Sequence, residues 1–137
     1  MFTHRITIVN DVKQLEKLAL ELETISDEWN IPMAISLNLN LVIEELVTNI
    51  IFYGYDDKET HEINIQLSLT EQVIQLQIED DGREFNPLLL PEPNIDESIE
   101  DRKIGGLGIF FVRKIMDHIT YERTNNHNLL TLTKNIA

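Results

Sequence analysis

Three short stretches of this chain hold residue types at spacings that could do chemistry. In the first, Gly105, Gly106 and Gly108 surround Leu107 and open a run in which Ile109, Val112 and Ile115 or Met116 recur at helical spacing. The unpaired N–H groups at a helix start carry partial positive charge, and with no Cβ in the way they can hold a phosphate; a loop that only turns tightly would use the same glycines. The second stretch runs from Glu44 to Asn49 inside a long apolar segment and sets Glu45 and Asn49 four residues apart, on one helical face. A carboxylate in such surroundings needs a charge, a metal or a hydrogen-bonding ligand, unless that edge of the helix is open to water. Asn38 and Glu44 are more peripheral in the same pattern. The third stretch, Glu79 to Pro87, puts Asp80, Asp81 and Gly82 at the end of an alternating strand, where glycine permits a sharp turn. That turn reads equally as a plain acidic turn or as part of a site.

The elements that must position these stretches follow from hydrophobic periodicity. Residues 5–9 alternate and are β-branched, a short strand ended by Asn10-Asp11, a pair suited to capping a helix. Val12, Leu15, Leu18, Ala19, Leu22, Ile25 and Trp29 then recur every three or four residues, the buried face of a first helix. Pro32 restarts the chain at the beginning of a second helix that runs to about Tyr53. This helix is apolar nearly all round, including Leu37, Leu41 and Phe52, and is expected to lie deep in the domain. Gly54 ends it. Ile63, Ile65, Leu67 and Leu69 alternate with polar residues, as do Ile74, Leu76 and Ile78, which predicts an antiparallel hairpin with one covered face. Residues 88–104 lack periodicity and contain two prolines and five acids, the composition of a functional lid or an insert. After the glycine-opened helix, residues 118–123 and the strand through Leu130 and Leu132 form a last hairpin turned by Thr124-Asn125-Asn126.

Composition bounds the function. With 137 residues, 42% of them hydrophobic, the chain suits one domain spanning 1–137 with a single core. The absence of cysteine excludes disulfides and thiolate metal sites, and the histidines at 4, 61, 118 and 127 are scattered. A net charge of −13, from 24 acidic against 11 basic side chains, disfavours nucleic acid and anionic lipid as partners and suits a basic patch on a protein. The N-terminus has no apolar signal region, and uninterrupted apolar runs of spanning length are lacking, so a cytoplasmic protein is expected.

One explanation covers the three stretches together, a nucleotide site. Glu44-Glu45-Leu46-Val47-Thr48-Asn49, the run from Asp80 to Pro87, and Gly105-Gly106-Leu107-Gly108-Ile109 resemble the N, G1 and G2 boxes of the GHKL ATPases. Within that superfamily, which joins gyrase, Hsp90, histidine kinases and MutL, the chain is most similar to the small anti-sigma factor serine/threonine kinases of bacterial partner switching. The resemblance implies a two-layer α/β sandwich in which three helices cover one face of a mixed, largely antiparallel sheet. It implies ATP and Mg²⁺ as cofactors, with Asn49 on the metal, Glu45 as general base toward a substrate serine, and Asp80 accepting from the adenine amino group. Gly82 would let the backbone pass beneath the base. Gly105, Gly106, Leu107 and Gly108 would form the phosphate loop, and residues 88–104 the ATP lid. The partners implied are an anti-sigma factor antagonist of the STAS type and a sigma factor, with homodimerisation as the oligomeric option. An ATP-gated binding module without phosphotransfer and a detached histidine-kinase ATPase domain are the alternatives. The chain departs from the family pattern at Glu84, where many relatives have a second glycine, and at Ile104, where anti-sigma relatives often have arginine; Arg102 and Lys103 lie just upstream.

Overall fold

Strand β1 (Phe2–Val9), helices α1 (Gln14–Glu28) and α2 (Met33–Tyr53), strands β2 (Glu62–Thr70) and β3 (Val73–Asp80), helix α3 (Gly106–Ile115) and strands β4 (His118–Thr124) and β5 (His127–Asn135) make up the chain in order. The structure, a computed structural model, describes residues 1–89 and 106–137, with 106 and 107 described by backbone alone. Within that range the five strands form one sheet in the order β1-β2-β3-β5-β4. All four neighbouring pairs are antiparallel, so the sheet expected as mixed has no parallel pair among the described strands.

The alternation read from sequence decides which face is covered. Ile63, Ile65, Leu67, Ile74, Leu76 and Ile78 are each at most 2% exposed, while Asn64, Gln66, Gln75 and Gln77 face the other way. Against the apolar face pack Leu18, Leu22, Ile25 and Trp29 of the α1 segment, Leu39, Val42, Ile43, Leu46 and Val47 of α2, and Ile109, Val112 and Met116 of the α3 segment. Two-residue turns close both hairpins. Asn125 and Asn126 both have positive φ, the geometry a tight β-hairpin needs to match the twist of its strands, and asparagine tolerates it.

Helix α2 departs from the expected deep burial. Its inward row is fully covered, yet Met33, Leu37, Leu41 and Phe52 are more than half exposed, because a two-layer sandwich offers a helix only one packed side. Among the described residues α2 is the one helix long and apolar enough to cross a membrane by length and composition, and the row Leu39, Val42, Ile43, Leu46 and Val47 is spent on the core. Val12 and Ala19 of the first helical pattern also lie at the surface. The Asn10-Asp11 pair divides its work: Asp11 accepts from the Lys13 N–H at 2.9 Å ahead of α1, whereas Asn10 turns away to bond the backbone of Glu59 and His61. Pro32 occupies the position before α2 instead of its first turn, and its carbonyl accepts from Ser36 N–H at 2.9 Å.

Candidate functional site

Helix α2 runs behind the site and supplies two of its polar groups. The four-residue spacing of Glu45 and Asn49 brings their side chains together, and the Asn49 amide donates to Glu45 Oε1 at 3.3 Å. This bond uses the nitrogen end of Asn49, and among the described residues its carbonyl oxygen has no hydrogen-bond partner. Both residues are half-buried, a setting between the buried ligand site and the open edge that their sequence left as alternatives.

Helix α3 meets α2 at this point. A Cβ built on Gly108 would overlap the Glu45 carboxylate and come within 2.7 Å of its Cγ, so only glycine leaves room for the acid. The close approach expected of a glycine cluster is therefore made, at Gly108, by the carboxylate of Glu45. Gly106 is the first residue of α3 and Leu107 the second, and Gly105 lies outside the described residues. Of the stretch expected to form a lid, Leu88 and Leu89 close a short 3-10 turn, Pro87–Leu89; the remainder, like Ile104, Arg102 and Lys103, also lies outside the described residues.

The acidic turn is fixed from three sides. Asp80 ends the inward row of β3 and is 5% exposed. Its Oδ1 accepts from the Gly82 N–H at 2.8 Å and from the Asn128 amide at 3.0 Å. Burial pushes the Asp80 carboxyl above its ordinary pKa, with Asp81 adding to the shift, while the bonds from Asn128 and Gly82 and the charge of Arg123 pull the other way. Gly82 is held close, since a Cβ there would come within 2.5 Å of the Gly54 carbonyl oxygen and 2.9 Å of Asp80 Oδ1. The next N–H, of Arg83, donates to that same Gly54 carbonyl at 2.8 Å, which ties the turn to the C-terminal end of α2. Glu84, the departure from the family pattern, is exposed, so its bulk is accommodated outside the turn.

Between these groups lies a cavity of about 260 Å³. Asn49 and Asp80 line it with Leu46, Ile50, Ile78 and Leu130, an apolar slot with polar groups at defined points, as suits a flat heteroaromatic base. Glu45 and Gly108 stand beside it, through the contacts of Glu45 with Asn49 and Gly108. Three lining residues with polar side chains, Tyr53, Tyr121 and Asn128, lie outside the three stretches singled out from sequence. For Asn128 a signal was present: strand periodicity places it on the same face as Leu130 and Leu132, a polar residue at an inward position. Asn128 is 6% exposed and sits opposite Asp80 on β3 and opposite Arg123 on β4.

Beside the turn, the His61 ring bridges two acids, with Nε2 at 2.7 Å from Asp57 and Nδ1 at 3.1 Å from Asp81, and it stacks on Tyr55 at 4.1 Å. The bond to Asp57 leads the forces that hold the imidazole above its ordinary pKa, with a smaller contribution from Asp81. Tyr55, half-buried and facing Asp80, Asp81 and Asp57, is held in its neutral phenol form, chiefly by the partial loss of water around it and then by those three acids. An ion pair between Arg83 and Asp56 completes this edge.

Comparison with known proteins bears on the same residues. A serine/threonine-protein kinase of Bordetella bronchiseptica, BtrW, is 28% identical over 123 residues, which is 90% of this chain and 82% of that protein. The anti-sigma F factor of Clostridium novyi is 27% identical over 104 residues, 71% of this chain and 68% of that one. Among solved structures, the crystal structure of the RsbU and RsbW domains of a Mycobacterium tuberculosis protein superposes with a TM-score of 0.71 at 14% identity, covering 99% of this chain and 33% of that larger one; it shows the shared fold. Residues 8–134 match the family described as histidine kinase-like ATPase domain, a span that takes in Glu45, Asn49, Asp80, Gly82 and Gly108. The chain belongs to that family of ATPase domains.

Proposed function

We propose that this chain, acting as one ATP-binding unit across residues 1–137, is a protein serine kinase of the anti-sigma type. The observation that carries the reading is the convergence of Asp80 and Asn49, from two different elements, on one apolar cavity of a histidine kinase-like ATPase domain, with Glu45 bonded to Asn49 beside it. Its similarity to a serine/threonine-protein kinase and to an anti-sigma F factor supports the choice of reaction and partner.

The residues present fit ATP. Asp80 offers a carboxylate oxygen to the exocyclic amino group of adenine, and Gly82 keeps the backbone low at the turn. The start of α3, at Gly106 to Gly108, offers N–H groups to phosphate oxygens. Magnesium fits the free carbonyl oxygen of Asn49, a hard ligand of the kind that ion takes in ones and twos beside phosphates and water, and when bound it neutralises phosphate charge. Phosphoryl transfer then needs positioning and one base. The serine oxygen attacks the γ-phosphorus while the bond to the β–γ bridging oxygen breaks, ADP leaves with that electron pair, and Glu45 takes the hydroxyl proton.

The protein that presents the serine is an anti-sigma factor antagonist of the STAS type, and a sigma factor is the second partner, bound by a homodimer in the cytoplasm. The test combines thermal melting with labelled ATP and a purified antagonist. The expected result is a higher midpoint with Mg-ATP and label on an antagonist serine. An unchanged midpoint at millimolar Mg-ATP would overturn the nucleotide site, and a raised midpoint without transfer would leave a nucleotide-gated binding module instead.

A further inference from the structure

One side chain outside the three sequence boxes uses its whole hydrogen-bonding capacity on the acidic turn. Asn128 donates from its amide nitrogen to Asp80 Oδ1 at 3.0 Å and to the Arg83 carbonyl at 2.8 Å. Its carbonyl oxygen accepts from the Tyr121 hydroxyl at 2.5 Å and from the Phe85 N–H at 3.3 Å. Two donors and two acceptors are thereby matched, which also settles the orientation of the amide, since a flipped group would set like against like at Asp80, Arg83 and Phe85, and only the Tyr121 hydroxyl could reverse its role. Arg123, paired across the strands with Asn128, adds a bond from its guanidinium to the Gly82 carbonyl at 2.8 Å. Residues 80, 82, 83 and 85 are thus all gripped from the β4–β5 hairpin.

The consequence falls on Asp80. A carboxylate has two oxygens and can rotate; here Oδ1 is occupied by Asn128 and Gly82, and among the described residues Oδ2 has no donor, on a side chain that lines the cavity. We propose that Asn128 is a positioning residue that sets base selectivity, holding Asp80 so that a single anionic oxygen is presented to the cavity and a purine bearing an amino group is preferred over one bearing a carbonyl. Adenine donates at that edge, whereas guanine would turn a carbonyl oxygen against the carboxylate. The inference rests on the ATP-site reading above and adds the residue that makes the site discriminate.

The experiment measures dissociation constants of Mg-ATP and Mg-GTP for the full chain, at pH 6 and pH 8, in the wild type, Asn128→Ala and Asn128→Asp. The wild type is expected to prefer ATP. Asn128→Ala releases Asp80 to rotate, and ATP affinity should fall by roughly tenfold or more, the scale for losing a hydrogen bond to a charged group, with GTP affinity little changed. The ATP-to-GTP ratio therefore collapses, which a residue that only braces the fold would not cause. Asn128→Asp keeps the shape but sets a second carboxylate against Asp80, where the two must share a proton. The other charged and titratable groups facing that pair are Asp81, Arg123, Tyr55 and Tyr121. ATP affinity in this variant should change between pH 6 and pH 8 more steeply than in the wild type.

A wild-type ratio in Asn128→Ala, even with a lowered melting temperature, would overturn the assignment while leaving the ATP site intact. Should Asn128→Ala not fold, an Asn128→Asp protein with wild-type affinity and wild-type pH dependence overturns it equally. A wild type that binds neither nucleotide would defeat the ATP-site reading itself.

Discussion

Gly108 and Glu45 occupy one another's space: the first residue has no side chain, and the carboxylate of the second fills the place where a Cβ would stand. A carboxylate held this way, the one proposed as the base, keeps its position only while the glycine remains. Gly108→Ala meets the far end of a flexible side chain instead of backbone, so the fold should survive with a melting temperature near that of the wild type, while Glu45 is driven from its rotamer. Phosphate transfer should fall by about 10²–10⁴, the usual worth of a positioned base, and labelled-ATP assays beside thermal melts read both quantities.

Glu45→Gln separates binding from chemistry at the same spot. The amide keeps the shape, and its carbonyl oxygen can still accept from Asn49, but it cannot take a proton. Mg-ATP binding should persist and transfer to a partner serine should drop by about 10²–10⁴. Transfer at the wild-type rate would show that another group is the base.

Asn49→Ala should act earlier, on binding. With the carbonyl oxygen gone, the Mg²⁺-dependent part of ATP affinity is lost, and titrations with and without Mg²⁺ should converge. At about 100 times the dissociation constant, ligand stabilisation is worth about 2.7 kcal/mol, so the variant's melting temperature in Mg-ATP should stay close to its nucleotide-free value.

Gly82→Ala tests the turn. The added methyl would lie 2.5 Å from the Gly54 carbonyl, which is backbone and cannot swing aside. A destabilisation of about 1–3 kcal/mol is expected, the usual cost of overpacking, together with loss of ATP affinity as the bond from Arg83 N–H to Gly54 breaks. Chemical denaturation and nucleotide titration measure the two effects.

The His61 bridge makes stability depend on pH with a definite sign. The imidazole is held above its ordinary value of 6.5, so its contribution is complete below that pH and is lost as pH rises through the raised value. Asp57, held below its ordinary 3.8 chiefly by the bond to His61, contributes above 3.8 and loses its share as pH falls through the lowered value. The bridge is therefore strongest between about pH 4 and 6.5. His61→Gln should lose less melting temperature than the wild type between pH 6 and pH 8.5, and equal losses would show that the bridge carries no stability.

Much of the framework was legible in the sequence because it is local. Alternation along Glu62–Thr70 and Val73–Asp80 determines which face is buried, and the spacing of Glu45 and Asn49 determines that they meet. What pattern could not supply depends on partners distant in the chain. Asn128 reaches Asp80 only because β5 pairs with β3 in one register across 48 residues, and a slip of one position would turn its side chain to the other face. The exposure of Met33, Leu37 and Leu41 was hidden for a related reason, since an apolar helix looks the same whether one side or both are covered.

The bond from Arg83 to the Gly54 carbonyl makes α2 a measuring rod. Glu45 and Gly54 are nine residues apart, about 14 Å of helix, so the proposed base and the anchor of the turn that carries Asp80 are spaced by one rigid length. Removing a residue between them would shorten that length by about 1.5 Å and rotate one end against the other by about 100°. Both ends of a bound molecule would then be misplaced together. The segment from Glu45 to Gly54 can therefore change its side chains, but not its count, without moving those two points relative to one another.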